Sequence, residues 1–167
     1  MSNSSPVNSL KKLKDILTVV GNLHGNGFTY EVFKEIGRGA YGVVYECRDV
    51  STNRNVAIKA VEHKYGNNER EAFDSLHDAD GKCNHLVEVL NGFTNDTLAC
   101  LVYPIYGPNL SKAMEINKQP FKAQEVRIMA KQLIEAVNFL HKNGMLHCDI
   151  NQENILLNRL IGHKDFT

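Results

Sequence analysis

Three glycines fall within the six residues Gly37-Arg38-Gly39-Ala40-Tyr41-Gly42, directly before the apolar run Val43-Val44-Tyr45-Glu46-Cys47. This order constrains the chain more than any other feature. In a dinucleotide-binding βαβ unit the same glycine spacing opens a helix, whose N-terminus holds a pyrophosphate. Here the residues after the glycines read as a strand, so the glycines cap a hairpin between two strands. Taken alone, such a triplet is equally well satisfied by a flexible turn. Within a hairpin, the missing Cβ atoms also let backbone N–H groups approach phosphate oxygens.

The surrounding pattern supports a sheet. Strands are expected over Phe28–Ile36, Gly42–Asp49 and Asn55–Val61, with Ser51-Thr52-Asn53-Arg54-Asn55 as the turn between the last two. A helix is expected over Asn67–Ala79, from the spacing of Ala72, Phe73 and Leu76, with Asn67 or Asn68 as its N-cap. Two further strands, His85–Leu90 and Leu98–Tyr103, flank the turn-rich Asn91-Gly92-Phe93-Thr94-Asn95-Asp96. Pro104 and Gly107-Pro108 break the pattern, and the chain then turns helical. Over Lys122–Lys142, Val126, Met129, Leu133, Val137 and Leu140 line one helix face, and Gly144 stands where a terminating glycine belongs. Residues 1–9 are Ser/Asn-rich and expected to be disordered; Leu10, Leu13 and Leu17 have the spacing of a short appended helix, and Gly21, Gly25 and Gly27 punctuate the passage into the fold. Five strands with one helix, a break and further helices describe an α+β chain of two subdomains without repeats.

Composition removes several alternatives. The 167 residues carry 19 Lys+Arg against 19 Asp+Glu, which argues against a broad basic surface for nucleic acid. With 43% hydrophobic and 23% charged residues, the chain is too core-rich to be disordered. It has no apolar run near the roughly 18–20 residues that span a bilayer, and its first residues do not read as a secretory signal. An intracellular protein, cytoplasmic or nuclear, is expected. Cys47, Cys83, Cys100 and Cys148 are scattered without a CxxC pair, so reduced cysteines are expected. Cys83, His85 and nearby His77 supply only three ligands where tetrahedral zinc takes four.

The strand after the glycine hairpin reads Val56-Ala57-Ile58-Lys59. Its lysine could be a solvated strand end, or its ammonium could neutralise nucleotide phosphates beneath the hairpin. The combination resembles the N-lobe of a eukaryotic protein kinase. A third motif extends the likeness: His147-Cys148-Asp149-Ile150-Asn151-Gln152-Glu153-Asn154 is similar to the kinase catalytic loop H-R-D-L-x-x-x-N. Together the motifs cover about residues 28–157.

This resemblance implies Mg-ATP as cofactor, a protein Ser/Thr hydroxyl as acceptor and a kinase-like α+β fold with a five-stranded antiparallel N-lobe. Asp149 would accept the substrate hydroxyl proton, Lys59 would meet the phosphates, and Asn154 would hold a magnesium ion. Nucleotide contacts would come from Ile36, Gly37, Arg38, Gly39, Ala40, Tyr41, Gly42, Val44 and Ala57, although Ile36, Val44 and Ala57 suit ordinary core positions equally well. Pro104-Ile105-Tyr106-Gly107 falls at the family's adenine-recognising hinge, with Pro104 lending its carbonyl, Tyr106 its N–H, and Tyr103 at the gatekeeper position. Glu69 has the register of the family's lysine-pairing glutamate, and Glu71 stays an alternative. The Gly107-Pro108-Asn109-Leu110 step and the Gln124–His141 stretch are similar to the LAMMER-like part of the CMGC kinases.

The likeness is incomplete. Cys148 stands for the family's arginine, and Asn151 for the lysine that meets the transferring phosphate in Ser/Thr kinases. Asp165-Phe166-Thr167 is a degenerate form of the D-F-G magnesium motif, with Asp165 the implied ligand. The expected division is an extension over residues 1–27, an N-lobe over 28–103, a hinge over 104–109 and a partial C-lobe over 110–167. The reading is of a kinase in truncated form, with a partner chain a candidate to cover the incomplete C-lobe. Asn151 keeps open a pseudokinase-like module that binds nucleotide or protein without turnover.

Overall fold

The computed structural model describes residues 21–39, 42–62, 71, 74–75, 83–94 and 98–158. These fall into two compact units, one within Met1–His77 and Glu88–Ile105, the other within Asp78–Val87 and Tyr106–Thr167.

The first unit is a six-stranded antiparallel sheet. Its strands are β1 (Asn22–Gly25), β2 (Phe28–Arg38), β3 (Gly42–Asp49), β4 (Arg54–Glu62), β5 (Asn91–Thr94) and β6 (Leu98–Pro104), in spatial order β1-β2-β3-β4-β6-β5. The three central strands lie where their apolar patterns place them. At the β3–β4 turn, Asp49 Oδ1 accepts from the Ser51 N–H at 2.8 Å and the Ser51 hydroxyl at 2.7 Å. These bonds hold the Asp49 carboxyl below its usual range.

Two expectations need correction. The sheet has six strands, not five, because residues 22–25 of the expected extension form β1. The reason is the turn: Asn26 (φ 51) and Gly27 (φ 82) both adopt positive φ, the conformation of the tight hairpin turn that Asn-Gly favours. The expected strand at His85–Leu90 forms later, at Asn91–Thr94, where a turn was expected. The segment Leu86-Val87-Glu88-Val89-Leu90 lacks strict alternation, and Val87 and Leu90 remain about half exposed. Phe93 instead is 2% exposed, stacks on Tyr30 with ring centroids 5.4 Å apart, and pulls its own strand onto β6. Within the expected helix over Asn67–Ala79, Glu71, Asp74 and Ser75 are helical; Asn67, Asn68, Glu69, Ala72, Phe73 and Leu76 lie outside the described residues, as do residues 1–20.

Register divides the sheet into two faces. Val43, Ala60 and Cys100 are mutually opposed, as are Tyr45, Ile58 and Val102; these side chains belong to the main core cluster. Successive residues of a strand point to opposite faces, so Val44, Ala57 and Lys59 fall on the other side.

In the second unit, α1 (Leu110–Asn117) starts at Asn109, whose side-chain oxygen accepts from the Lys112 N–H at 2.8 Å. Helix α2 (Ala123–Lys142) starts with the Glu125 carboxylate accepting from the Lys122 N–H at 2.6 Å. It ends as expected at Gly144 (φ 72): the Gly144 N–H donates to His141 O, and the Met145 N–H to Leu140 O. This double bond pattern satisfies the last carbonyls, and glycine adopts the required left-handed conformation without a Cβ clash. Of the expected apolar face, Leu140 is buried, Met129, Leu133 and Val137 are half-buried, and Val126 is exposed. His85 Nε2 lies 3.0 Å from Glu135 Oε2 on α2, so its ring is engaged by that carboxylate. Among the described residues no group of three or more His, Cys, Asp or Glu could hold a metal, and no helix is long and apolar enough to cross a membrane.

Burial pushes the Cys47 and Cys100 thiols up to about 12, whereas Cys148 is exposed. The thiolate is the reactive form, so at about pH 8 iodoacetamide should label Cys148 in the folded protein while sparing Cys47 and Cys100. Labelling of those two should require denaturant, as read by peptide mass spectrometry.

Candidate active site

The glycine hairpin is built between β2 and β3. Gly37 pairs with Val44 and Arg38 with Val43, and the Gly39 N–H donates to Gly42 O at 3.0 Å. Each glycine has a different environment. A Cβ on Gly42 would press into the Ala60 carbonyl oxygen and lie 2.6 Å from Val61 Cγ1, so β3 and β4 can approach only with glycine there. A Cβ on Gly39 would meet nothing within 4 Å. The open side of that backbone fits the approach of a phosphate. The Arg38 guanidinium forms a two-pronged pair with the Glu35 carboxylate, with Nε 2.8 Å from Oε1. That pairing raises its pKa above the ordinary arginine value. Ala40 and Tyr41 lie outside the described residues.

Beside the hairpin, β4 carries Lys59 directly opposite Val44 on β3 and Leu101 on β6. Ala57, two residues earlier, is opposed by Tyr103 on β6. Val44, Ala57, Lys59 and Tyr103 therefore share the sheet face that turns away from the main core cluster. Ala57 is buried and Val44 half-buried, and neither belongs to the main core cluster. Ile36 is 46% exposed in a β2 irregularity between Glu35 and Gly37. Pro104 ends β6 opposite Val56, while Tyr106 is a half-buried member of the second unit. Of the two candidate acidic partners of Lys59, Glu69 lies outside the described residues. Glu71 is exposed and its carbonyl accepts from the Ser75 hydroxyl at 2.8 Å.

The second unit holds the His147–Asn154 loop. Its C-terminal side is anchored by backbone bonds: the Gly107 N–H donates to Leu157 O at 2.8 Å, the Leu157 N–H to Pro108 O at 3.0 Å and the Leu110 N–H to Ile155 O at 2.8 Å. Within the loop Cys148 has φ 60, a left-handed conformation costly for a residue with a Cβ. The Asp149 N–H donates to His147 Nδ1 at 3.3 Å. Asn154 Nδ2 reaches both Asp149 O and Asp149 Oδ2 at 2.8 Å, and Asn151 Nδ2 reaches Asp149 Oδ1 at 2.8 Å. Both carboxylate oxygens thus accept an amide hydrogen.

The sequence pairs Asp149 with Asn154 and the structure brings them together. The Asn151 contact was not anticipated. Its sequence signal is an Asn two residues after an Asp in a turn, where Asn side chains bond to nearby backbone. For a magnesium ion, the donor set fits in one respect: with Nδ2 committed to Asp149, Asn154 presents its amide oxygen, the atom type that hard cations take. Asp165 lies outside the described residues.

A family model for the protein kinase domain matches residues 30–165. The chain belongs to the protein kinase family. It is 33% identical over 138 residues to dual specificity tyrosine-phosphorylation-regulated kinase 3 of Macaca fascicularis, covering 78% of this chain and 24% of that protein. It is 31% identical over 139 residues to cyclin-dependent kinase G1 of Arabidopsis thaliana, covering 77% of this chain and 23% of that protein. A crystal structure of a kinase domain superposes with a TM-score of 0.71 over 83% of this chain and 42% of that one, at 24% identity. The kinase chain therefore spans about a quarter of the length of these two curated relatives.

The two glycine environments separate stability from binding. Gly42→Ala should destabilise the sheet by about 1–3 kcal/mol, because backbone and not a flexible side chain must yield. Gly39→Ala, with open space around it, should leave the denaturation midpoint nearly unchanged. Chemical denaturation of the two variants beside the parent checks this.

Proposed function

We propose that this chain is the nucleotide-binding and catalytic-loop part of a protein kinase that transfers the γ-phosphate of Mg-ATP to a Ser or Thr hydroxyl of a protein. The observation that carries the reading is the bonded pair Asp149–Asn154, in which Asn154 bonds to both the backbone and the carboxylate of Asp149. A carboxylate held in this way has a fixed direction in which to accept a proton. Bound Mg-ATP would supply the phosphoryl group and neutralise its developing charge. Asp149 takes the proton of the acceptor hydroxyl as the oxygen–phosphorus bond forms and the bond to the ADP oxygen breaks. Asn154 orients Asp149 through Nδ2 and offers its amide oxygen to magnesium, with Asp165 the proposed second ligand. Lys59 places an ammonium on the phosphates, and Glu69 is the favoured carboxylate to hold it there. Gly37, Gly39 and Gly42 bring backbone to the phosphates, while Ile36, Val44 and Ala57 contact the base. Pro104 and Tyr106 supply the carbonyl and N–H for adenine.

One observation favours a second reading, nucleotide binding without efficient turnover. Asn151 brings no cation to the loop, and loss of one electrostatic contact of this kind is worth roughly 10²–10³ in rate.

Two outcomes test the assignment. Mg-ATP should raise the thermal midpoint of the protein, since a ligand of the native state stabilises it by mass action, and Lys59→Met should remove most of the rise. If Glu69 holds Lys59, Glu69→Gln should weaken that response more than Glu71→Gln; the reverse order moves the role to Glu71. Radiolabelled phosphate incorporation into a basic protein substrate, with Asp149→Asn as the blank, separates the readings. Turnover that vanishes in the blank supports transfer, and a thermal response without turnover supports the binding module.

A further inference from the structure

Asn151 occupies the place where the family's Ser/Thr members carry a phosphate-facing lysine, yet its side chain does not act as a shortened lysine. Its Nδ2 donates to Asp149 Oδ1 at 2.8 Å. Its Oδ1 accepts from the Glu153 N–H at 2.9 Å and the Asn154 N–H at 3.2 Å. Only one amide orientation satisfies these partners, because a carboxylate needs a donor and two backbone N–H groups need an acceptor. Lysine could supply the donor but could not accept from the backbone. Asn151 thus ties Asp149 to the turn that presents Asn154, while Asn154 returns a bond to the other Asp149 oxygen at 2.8 Å. The three residues close a ring of hydrogen bonds on one short loop, completed by the Asn154 backbone N–H.

We propose that Asn151 is a positioning residue for Asp149: it fixes the carboxylate from the side opposite Asn154, and does not contact the transferring phosphate. The bracket stands on the loop geometry alone, and its consequence for transfer rests on the kinase reading. A hydrogen bond to a charged group is strong enough for its loss to cost about ten- to a hundredfold in rate where it sets the direction of a reacting carboxylate.

Asn151→Asp isolates the bond. It keeps the size and the acceptor oxygen that caps the turn, but replaces the donor by a second carboxylate facing Asp149. The expected result is a kcat about ten- to a hundredfold lower with KM for ATP within about twofold, and an unfolding midpoint within about 4 °C of the parent. A purely structural cap would leave kcat unchanged in this variant, and that result would overturn the proposal. Asn151→Lys restores the family's cation but breaks the bracket, so kcat should fall; a rise above the parent would show that the position faces phosphate.

A readout independent of turnover uses the 15N-labelled protein. The side-chain NH2 resonances of Asn151 should move on Asp149→Asn, with those of Asn53 in the β3–β4 turn of the first unit as the unmoved control. If they stay in place, or respond to Mg-ATP but not to Asp149→Asn, the proposal is overturned. If they move in a protein without phosphate transfer, the bracket stands and the kinase reading fails.

Discussion

A slip of one residue between β3 and β4 would turn Lys59 into the main core cluster and Ile58 out of it, since adjacent strand residues point to opposite faces. The two faces of the central strands depend on that register. Val44 faces Lys59, Ala57 faces Tyr103, and the alternate set Tyr45, Ile58 and Val102 packs as core. Burial of the core set anchors the register, because a slipped pairing would expose several apolar side chains and bury an ammonium without compensation. Gly42 sets the upper end of the same pairing. It is opposed by Val61, where any Cβ would collide with the Ala60 carbonyl. Gly42 is thus required for sheet packing, whereas the open backbone of the hairpin is at Gly39.

The second unit solves a different problem, which is to hold an irregular loop in one conformation. Its C-terminal side is paired backbone to backbone, Gly107 and Pro108 with Leu157 and Leu110 with Ile155. Before these anchors the loop has no ladder of its own, so its side chains supply the missing partners. His147, Asn151 and Asn154 all bond to Asp149 or to the turn that follows it. The left-handed Cys148 is tolerated inside this network. Neutral amides do the work here. They can hold a carboxylate without adding charge, which distinguishes this loop from the lysine-bearing form of the family.

The central strands, α2 and its terminating glycine were legible because each follows a local rule: alternation, helical spacing, or the need for positive φ. The motif residues Lys59, Asp149 and Asn154 were legible for the same reason, as fixed residue types at fixed spacing. The extra strand β1 was also written locally, in Asn26-Gly27, but the Gly-rich passage read as punctuation and not as a hairpin. The shift of β5 from His85–Leu90 to Asn91–Thr94 was not local. It depends on Phe93 stacking on Tyr30, a contact across 63 residues of chain that no window of sequence contains.

By itself the sequence determined the class of fold, the order of the motifs and the residues able to carry charge, donate or accept, since those are properties of side-chain type and spacing. Only the tertiary structure decided which face of the sheet each strand residue takes, and that Arg38 spends its guanidinium on Glu35. It also turned Asn151 from a missing cation into a partner of Asp149. The physical reason is the same in each case. A hydrogen bond or a buried contact depends on distance and direction between groups, and these exist only once strands are in register and the loop is anchored.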